Sequence, residues 1–381
     1  MRAGTVTGVR TPRQDSAARP FIVIWEATQA CPLACRHCRA EARPRRDSAE
    51  LSTAEAVELM GQVAAFGRPA PLFVITGGDP FQRPDLNTLV REGAGLGLAM
   101  SVSPSGTPTL TREALHGLRE AGARAISLSV DAAGPTTHDG FRGVSGVFAA
   151  TLRAWREARE LGLKVQINTT VTADTVDELP RIAALVRDHG ALLWSVFFLV
   201  QTGRGSALSA LGAEDTEDVL HVLYDVGETI PVKTTEAHQF RRVCVQRSAG
   251  LSPAGRGPLY HRLRRELDAL GLLDGGRRAR RAPLRVSAAN GFVFVSHRGD
   301  VFPSGFLPLA AGNVREQPLT DIYRSSPLFT ELRDPDRLGG RCGVCEFRTI
   351  CGGSRARAYA TTGDVLAEEP TCPYIPGALP S

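Results

Sequence analysis

From residue 21 to residue 200, short apolar runs alternate with longer stretches in which apolar residues recur every three or four positions. The short runs, 21–26, 71–75, 99–103, 124–130, 164–171 and 192–200, are rich in Val, Ile, Leu and Phe and read as strands. The stretches between them, 52–66, 84–96, 111–120, 147–161 and 174–188, carry the helical period. Ser52-Thr-Ala-Glu55 forms a capping box ahead of the first. Six strands alternating with helices predict an α/β fold: a parallel sheet joined by right-handed crossovers and curled into a barrel or part of one. Chemistry in such barrels gathers at the C-terminal ends of the strands.

Past residue 205 the pattern loosens. Helices are expected at 215–227 and 260–270, with a short strand at 232–235. The Gly-rich, basic stretch 275–285 reads as a linker and a boundary. From 286 the texture changes: Asn290-Gly291 between apolar residues predicts a hairpin, with a further turn at His297-Arg-Gly-Asp300. Residues 1–20 are polar, Arg-rich and unpatterned, as in a loose arm. This gives four expected segments: an arm (1–20), a barrel (21–235), a helical bridge with the linker (236–285) and a small C-terminal domain (286–381).

The composition narrows the function classes. At 381 residues with 43% apolar content, the chain is long enough for two or three cored domains. The most apolar stretch, 191–200, is half of what a bilayer needs, and the first twenty residues lack the pattern of a signal peptide. A cytoplasmic protein without a membrane role is expected. The net charge of +5 is mild and its basic residues are arginines apart from Lys164 and Lys233, so no nucleic-acid role is read from it.

Eight cysteines in such a chain point to metal ligation rather than disulfides. Cys31, Cys35 and Cys38 are spaced C-x3-C-x2-C and directly follow the first strand. Three thiolates can ligate three irons of a cubane cluster and leave the fourth open. A structural zinc site, the alternative, normally closes with four ligands. Cys342, Cys345, Cys351 and Cys372 fall within 31 residues and make a complete four-thiol set, suited to a second cubane or to zinc. Cys244 is left over and reads as a small buried hydrophobe.

These motifs occur in order along nearly the whole chain, and the chain from about 20 to 375 resembles a radical SAM enzyme with a SPASM or Twitch-type C-terminal extension. The resemblance implies a partial (β/α)6 barrel followed by a small iron–sulfur domain. It implies S-adenosylmethionine (SAM) and two [4Fe-4S] clusters as cofactors, the first cluster held by Cys31, Cys35 and Cys38 and the auxiliary one by the C-terminal four. Cleavage of SAM to a 5′-deoxyadenosyl radical, which abstracts a substrate hydrogen, is the implied activity.

Residue by residue, His37 stands where the family packs an aromatic residue near adenine. Gly77-Gly78-Asp79-Pro80 matches the loop that receives the methionine ammonium, with Asp in place of Glu. Ser129 and Asp131 resemble the strand-four segment, Ala132 replacing its glycine. Arg142 matches an arginine that pairs with the SAM carboxylate. Gln166 and Asn168 would meet ribose, and Gly203 opens the loop beside adenine. Tyr359 and Tyr374, near the auxiliary ligands, are candidate hydrogen donors. A full SPASM domain carries an early cysteine where this chain has Ser304, so one auxiliary cluster is expected rather than two, with electron transfer as its role.

In Pro303-Ser-Gly-Phe-Leu-Pro308, Gly312-Asn-Val-Arg315 and Cys351-Gly-Gly-Ser-Arg-Ala-Arg-Ala358 the chain looks most like subgroups that modify tetrapyrroles in haem biosynthesis and subgroups that mature peptides. The implied partners are a reductant such as a flavodoxin or ferredoxin, and a substrate that is a tetrapyrrole, a small metabolite or a peptide. With twenty residues ahead of the first strand, a peptide substrate would need a separate carrier protein. Arg348, Arg355 and Arg357 are candidates either to clamp substrate carboxylates or to hold the small domain together.

Overall fold

The computed structural model describes residues 9, 15–40, 42–251, 256–273 and 283–377. The barrel half runs β1 (Ile22–Glu26), α1 (Thr53–Ala64), β2 (Leu72–Thr76), α2 (Leu86–Gly95), β3 (Ala99–Val102), α3 (Arg112–Glu120), β4 (Ala125–Ser129), α4 (Pro135–Arg142), α5 (Val147–Glu160), β5 (Lys164–Val171), α6 (Leu179–His189) and β6 (Leu193–Phe198). Next come α7 (Ala213–Val226), β7 (Val232–Thr235), α8 (Gln239–Ser248) and α9 (Pro258–Ala269). The C-terminal third holds β8 (Phe292–Val295), β9 (Asp300–Phe302), β10 (Gly312–Asn313), α10 (Leu319–Ser325), α11 (Pro327–Arg333), α12 (Gly340–Val344) and α13 (Arg355–Thr362).

One sheet of ten strands organises everything, in the order β10-β9-β8-β1-β2-β3-β4-β5-β6-β7. Strands β1 to β7 are parallel and stand in chain order. β8 joins the β1 edge in parallel and turns back antiparallel into β9. Because side chains alternate across a strand, the register sorts them into rows. Leu128, Ile167, Trp194 and Val232 pair across β4 to β7 and belong to the main apolar core. The next residues along, Ser129, Asn168, Ser195 and Lys233, form the adjacent row on the opposite face. That face is polar, which suits the inside of an open barrel.

Helix starts follow local chemistry. The Ser52 hydroxyl accepts from Glu55 N (3.3 Å) while Glu55 Oε2 accepts from Ser52 N (2.8 Å), realising the capping box. Thr111 Oγ1 caps α3 through Ala114 N (3.2 Å). Among the described residues no helix is long and apolar enough to cross a membrane.

Three expectations change. The turn at 290–291 lies two residues earlier: Ser287 and Asn290 exchange backbone hydrogen bonds around Ala288-Ala289, with Ala289 at φ +62°. Asn290 is instead drawn to Ser16 and Gly291 N to the Tyr323 hydroxyl (2.9 Å). α4 is not expected from the sequence, and α8 gives the bridge expected at 236–285 a helix ahead of the one expected at 260–270. Most of the arm and of the linker 275–285 lies outside the described residues, but Ser16 and Ala18 at the arm's end accept from Tyr323 and Arg324.

Candidate active site at the strand ends

The loop carrying Cys31, Cys35 and Cys38 leaves the end of β1 and is gripped by two other strand ends and by the end of α4. Gly78 N and Asp79 N, after β2, donate to Thr28 O and Ala30 O at 2.7 Å each. From the loop itself, Ala34 N and Arg36 N donate to Arg142 O and Phe141 O at the end of α4. Arg204 N, after β6, donates to Cys38 O (3.0 Å). Such close backbone approach explains the glycines: a Cβ at Gly78 would lie 2.4 Å from Ala30 O and one at Gly77 2.4 Å from Thr28 O. Gly203 combines φ +52° with a Cβ position 2.6 Å from Arg39 O. Replacing Gly78 by alanine is expected to destabilise the protein by about 2–3 kcal/mol, since only backbone movement relieves the clash. Denaturant unfolding with equal protein loading checks it; a loss below about 0.5 kcal/mol would refute the packing argument.

The thiols sit in a small apolar cluster. Cys31, Leu33, Cys35 and Val147 are buried together, with Cys38 packed against them. Sulfur-directed donors point in: Leu33 N to Cys31 Sγ at 3.4 Å and Arg142 Nη1 to Cys35 Sγ at 3.7 Å. Hydrogen bonds of this kind tune cluster potentials. Ser105, which the sequence reading missed, lies 3.5 Å from Cys31 Sγ through its hydroxyl and also donates to Gly78 O (3.0 Å). Its place in the polar turn after β3 was the available signal.

The residues expected to meet SAM converge around this loop. Asp79 is fully buried. Its Oδ1 accepts from Phe81 N and Ser105 N at 3.3 Å each, and its Oδ2 is buried without a partner. Burial pushes its carboxyl above the ordinary value, a strain that a ligand ammonium would relieve. Pro80 begins the 3-10 turn that Asp79 caps. His37 stacks on Phe141 with ring centres 4.6 Å apart, and its Nδ1 is also orphaned. Burial pulls His37 down to about 4, so it is neutral.

Asp131 Oδ1 accepts from Thr170 N (2.8 Å), its Oδ2 pairs with the Arg142 guanidinium, and its N–H donates to His138 Nδ1 (3.1 Å). Burial pushes Asp131 up, but Arg142, His37 and His138 together outweigh it and hold the carboxyl low. Arg142 thus has a partner within the chain and bridges Asp131 to Cys35. Gln166 Nε2 donates to Asn168 Oδ1 (2.7 Å), and Asn168 stands level with Ser129 in the polar row. A second tie, also missed from the sequence, joins the loop to the C-terminal third: Glu26 binds Arg39 (3.0 Å) and His297 (3.2 Å), and Arg39 lies over the Phe294 ring.

Cys342, Cys345, Cys351 and Cys372 line one pocket with Arg242, Glu369 and Tyr374 among its walls. Among the described residues no three Cys, His, Asp or Glu side chains converge as a single ion requires. Gly353 N and Glu369 N point at Cys351 Sγ (3.5 Å) and Cys342 Sγ (3.4 Å). Burial raises Cys351 to about 12 and Cys372 to about 11, so bound metal charge is what would make them thiolates. Ser304 faces elsewhere, donating to Glu236 Oε1 (3.0 Å). Tyr374 donates to Glu346 and packs on Phe347, whereas Tyr359 packs against the main core. Arg355 and Arg357 are buried on the chain's own carbonyls and on Glu369, and Arg348 pairs with Asp336. Arg355 and Arg357 are thus engaged within the chain, while Arg348 makes an exposed surface pair.

Residues 25–186 match the radical SAM superfamily model and residues 287–346 match the SPASM iron–sulfur cluster-binding domain. The chain is 38% identical over 362 residues to the AdoMet-dependent heme synthase of Methanosarcina barkeri, covering 94% of this chain and 97% of that one. It is 29% identical to the pre-heme d1 synthase of Dinoroseobacter shibae, over 97% and 90% of the two chains. The PqqA peptide cyclase of Gluconobacter oxydans is 28% identical, over 94% and 91%. In fold, SuiB of Streptococcus suis bound to S-adenosylmethionine superposes with a TM-score of 0.68 at 15% identity, over 94% of this chain and 78% of that one.

An open parallel barrel with thiols at its strand ends, beside a four-thiol pocket, defines an iron–sulfur enzyme. The chain belongs to the radical SAM superfamily, in the group that carries a C-terminal SPASM domain. It binds SAM and [4Fe-4S] clusters, and uses a reductant and a substrate.

Proposed function

We propose that this enzyme oxidatively modifies or decarboxylates a carboxylate-bearing side chain of a tetrapyrrole. The observation that carries the reading is end-to-end similarity to relatives named AdoMet-dependent heme synthase, at 38% identity. When bound, the clusters and SAM supply a 5′-deoxyadenosyl radical and an acceptor for the substrate electron. Cys31, Cys35 and Cys38 would hold one cluster, with Cys342, Cys345, Cys351 and Cys372 around the other. Asp79, with the Gly77-Gly78 backbone, would receive the SAM ammonium, His37 would pack near adenine, and Ser129, Gln166, Asn168 and Gly203 would line the remainder. Arg142, fixed by Asp131, would present a positive charge to both the SAM carboxylate and Cys35. The buried apolar setting of the loop keeps water from a reactive intermediate. A flavodoxin or ferredoxin in the cytoplasm is the electron donor we assign, and residues 286–381 are taken as the auxiliary domain.

The second reading, maturation of a peptide, is favoured by the similarity to PqqA peptide cyclase. Anaerobic incubation with SAM, a reductant and iron coproporphyrin III separates the two. The expected result is 5′-deoxyadenosine formed in step with loss of carbon dioxide and two hydrogens from the porphyrin. An unchanged porphyrin mass, with a genomically neighbouring peptide altered instead, would overturn the first reading.

A further inference from the structure

Among the described residues, the one lysine on the polar face at β7 has no ion-pair partner. Lys233 lies on β7, in the same row as Ser129, Asn168 and Ser195. Val232 before it packs into the core, so Lys233 faces the polar inside, where it is only partly exposed. No hydrogen bond or ion pair reaches its ammonium among the described residues. Other cations at the strand ends are paired, Arg39 with Glu26 and Arg142 with Asp131, whereas Arg204, after β6, keeps its Nε and Nη2 buried without a partner. Burial pulls Lys233 down to about 8, and no carboxylate counters the pull.

An ammonium without a counter-ion, partly exposed on a polar interior face, is free to receive an anion that arrives from outside. The residue type fits as well. Arginine supplies all but two of the 45 basic residues, yet this position has lysine, a compact charge with three rotatable donors rather than a planar fork. Its neighbours are neutral: Ser195 Oγ and Thr235 Oγ1 lie 3.3 Å apart.

We propose that Lys233 is the receptor for a substrate carboxylate, holding one acidic side chain of the tetrapyrrole level with the row that carries Ser129 and Asn168. The assignment rests on the tetrapyrrole reading above. By fixing one carboxylate, Lys233 selects which neighbouring side chain is presented for reaction.

The test uses the holoenzyme, its Lys233→Gln and Lys233→Arg variants, and two probes, iron coproporphyrin III and its tetramethyl ester. Binding is followed by quenching of tryptophan fluorescence. Lys233→Gln should weaken binding of the tetra-acid about ten- to a hundredfold, the range for a hydrogen bond to a charged group. The ester should bind both proteins equally, and Lys233→Arg should restore most of the loss. In turnover, KM should rise while kcat holds. The melting temperature should not fall, since the ammonium makes no hydrogen bond or ion pair among the described residues. Tetra-acid binding within about twofold of wild type in Lys233→Gln would overturn the assignment alone. Weakened SAM binding instead would reassign the lysine to the cofactor and overturn it too. Wild-type protein that binds neither porphyrin would overturn the tetrapyrrole reading together with this one.

Discussion

Replacing Cys35 by alanine is expected to abolish 5′-deoxyadenosine formation and to lower the iron of reconstituted protein from about eight to about four atoms per chain, one cubane's worth. Among the described residues, the cluster around Cys35 holds no further thiol beyond Cys31 and Cys38. Cys35 is buried in a cluster whose other members are apolar or are the two remaining thiols, and its neighbour Arg142 is a cation. The fold itself should survive, because the loop's backbone grips involve Thr28, Ala30, Ala34, Arg36 and Cys38 rather than the Cys35 side chain. Cys244→Ala is the matched control: Cys244 is equally buried but lies in the main core on α8, so iron and turnover should be unchanged. Iron and sulfide assays with quantified 5′-deoxyadenosine decide the matter. Turnover retained in Cys35→Ala would remove the basis for placing the reaction at this loop.

Much of this site can be read from the chain because its signals are local. The thiol spacing, the Gly77-Gly78 pair and the apolar strands each lie within a few residues, and β7 is found where a short strand at 232–235 was expected. What escaped is long-range or masked by polarity. α4 has Pro135 at its start and Gly143 at φ +72° at its end, but only His138 and Phe141 are buried, too few to show a helical period. α8 buries Arg241 and Arg242, residues that a pattern of apolar positions counts as solvent-facing. Arg242 is there because Glu217 on α7 pairs with it, which no local rule reveals. The Asn290-Gly291 turn was misplaced because tertiary partners on Ser16 and Tyr323 claim those residues, and the pairing of β8 with β1 joins residues as far apart in sequence as Ile22 and Phe292. Glu236, at φ +56° on the end of β7 and hydrogen-bonded by Ser304 and Ser354, carried no sequence signal at all.

The largest effect on stability is expected for Arg357→Met. Arg357 is buried on α13 and reaches three places at once. Nη1 donates to Glu369 Oε1 (2.9 Å) and Thr371 Oγ1 (3.2 Å), and Nη2 donates to Glu236 O (2.7 Å) and to Phe198 O (3.4 Å). It therefore joins the ends of β6 and β7 to the segment that holds Cys372. Glu369 also accepts from Ser354 N (2.6 Å), and its own N–H points at Cys342 Sγ. Methionine would keep the volume but leave Glu369 as an uncompensated buried charge, a change worth about 3–5 kcal/mol. Arg357→Met/Glu369→Gln should recover part of that loss, since the stranded charge is removed.

The pH dependence should reverse sign. In the wild type, burial pushes Glu369 up, but Arg357 and the donors to its oxygens hold it below the ordinary value of 4.5. Its contribution is present above that value and fades as pH falls through the lower folded one. Without Arg357, burial raises the carboxyl, so stability is retained below 4.5 and declines as pH rises through the higher folded value. Denaturant unfolding of the variant between pH 5 and pH 8 should show this decline. A loss in Arg357→Met below about 1 kcal/mol, the scale of an exposed pair, would mean that this buried arginine does not join the two halves.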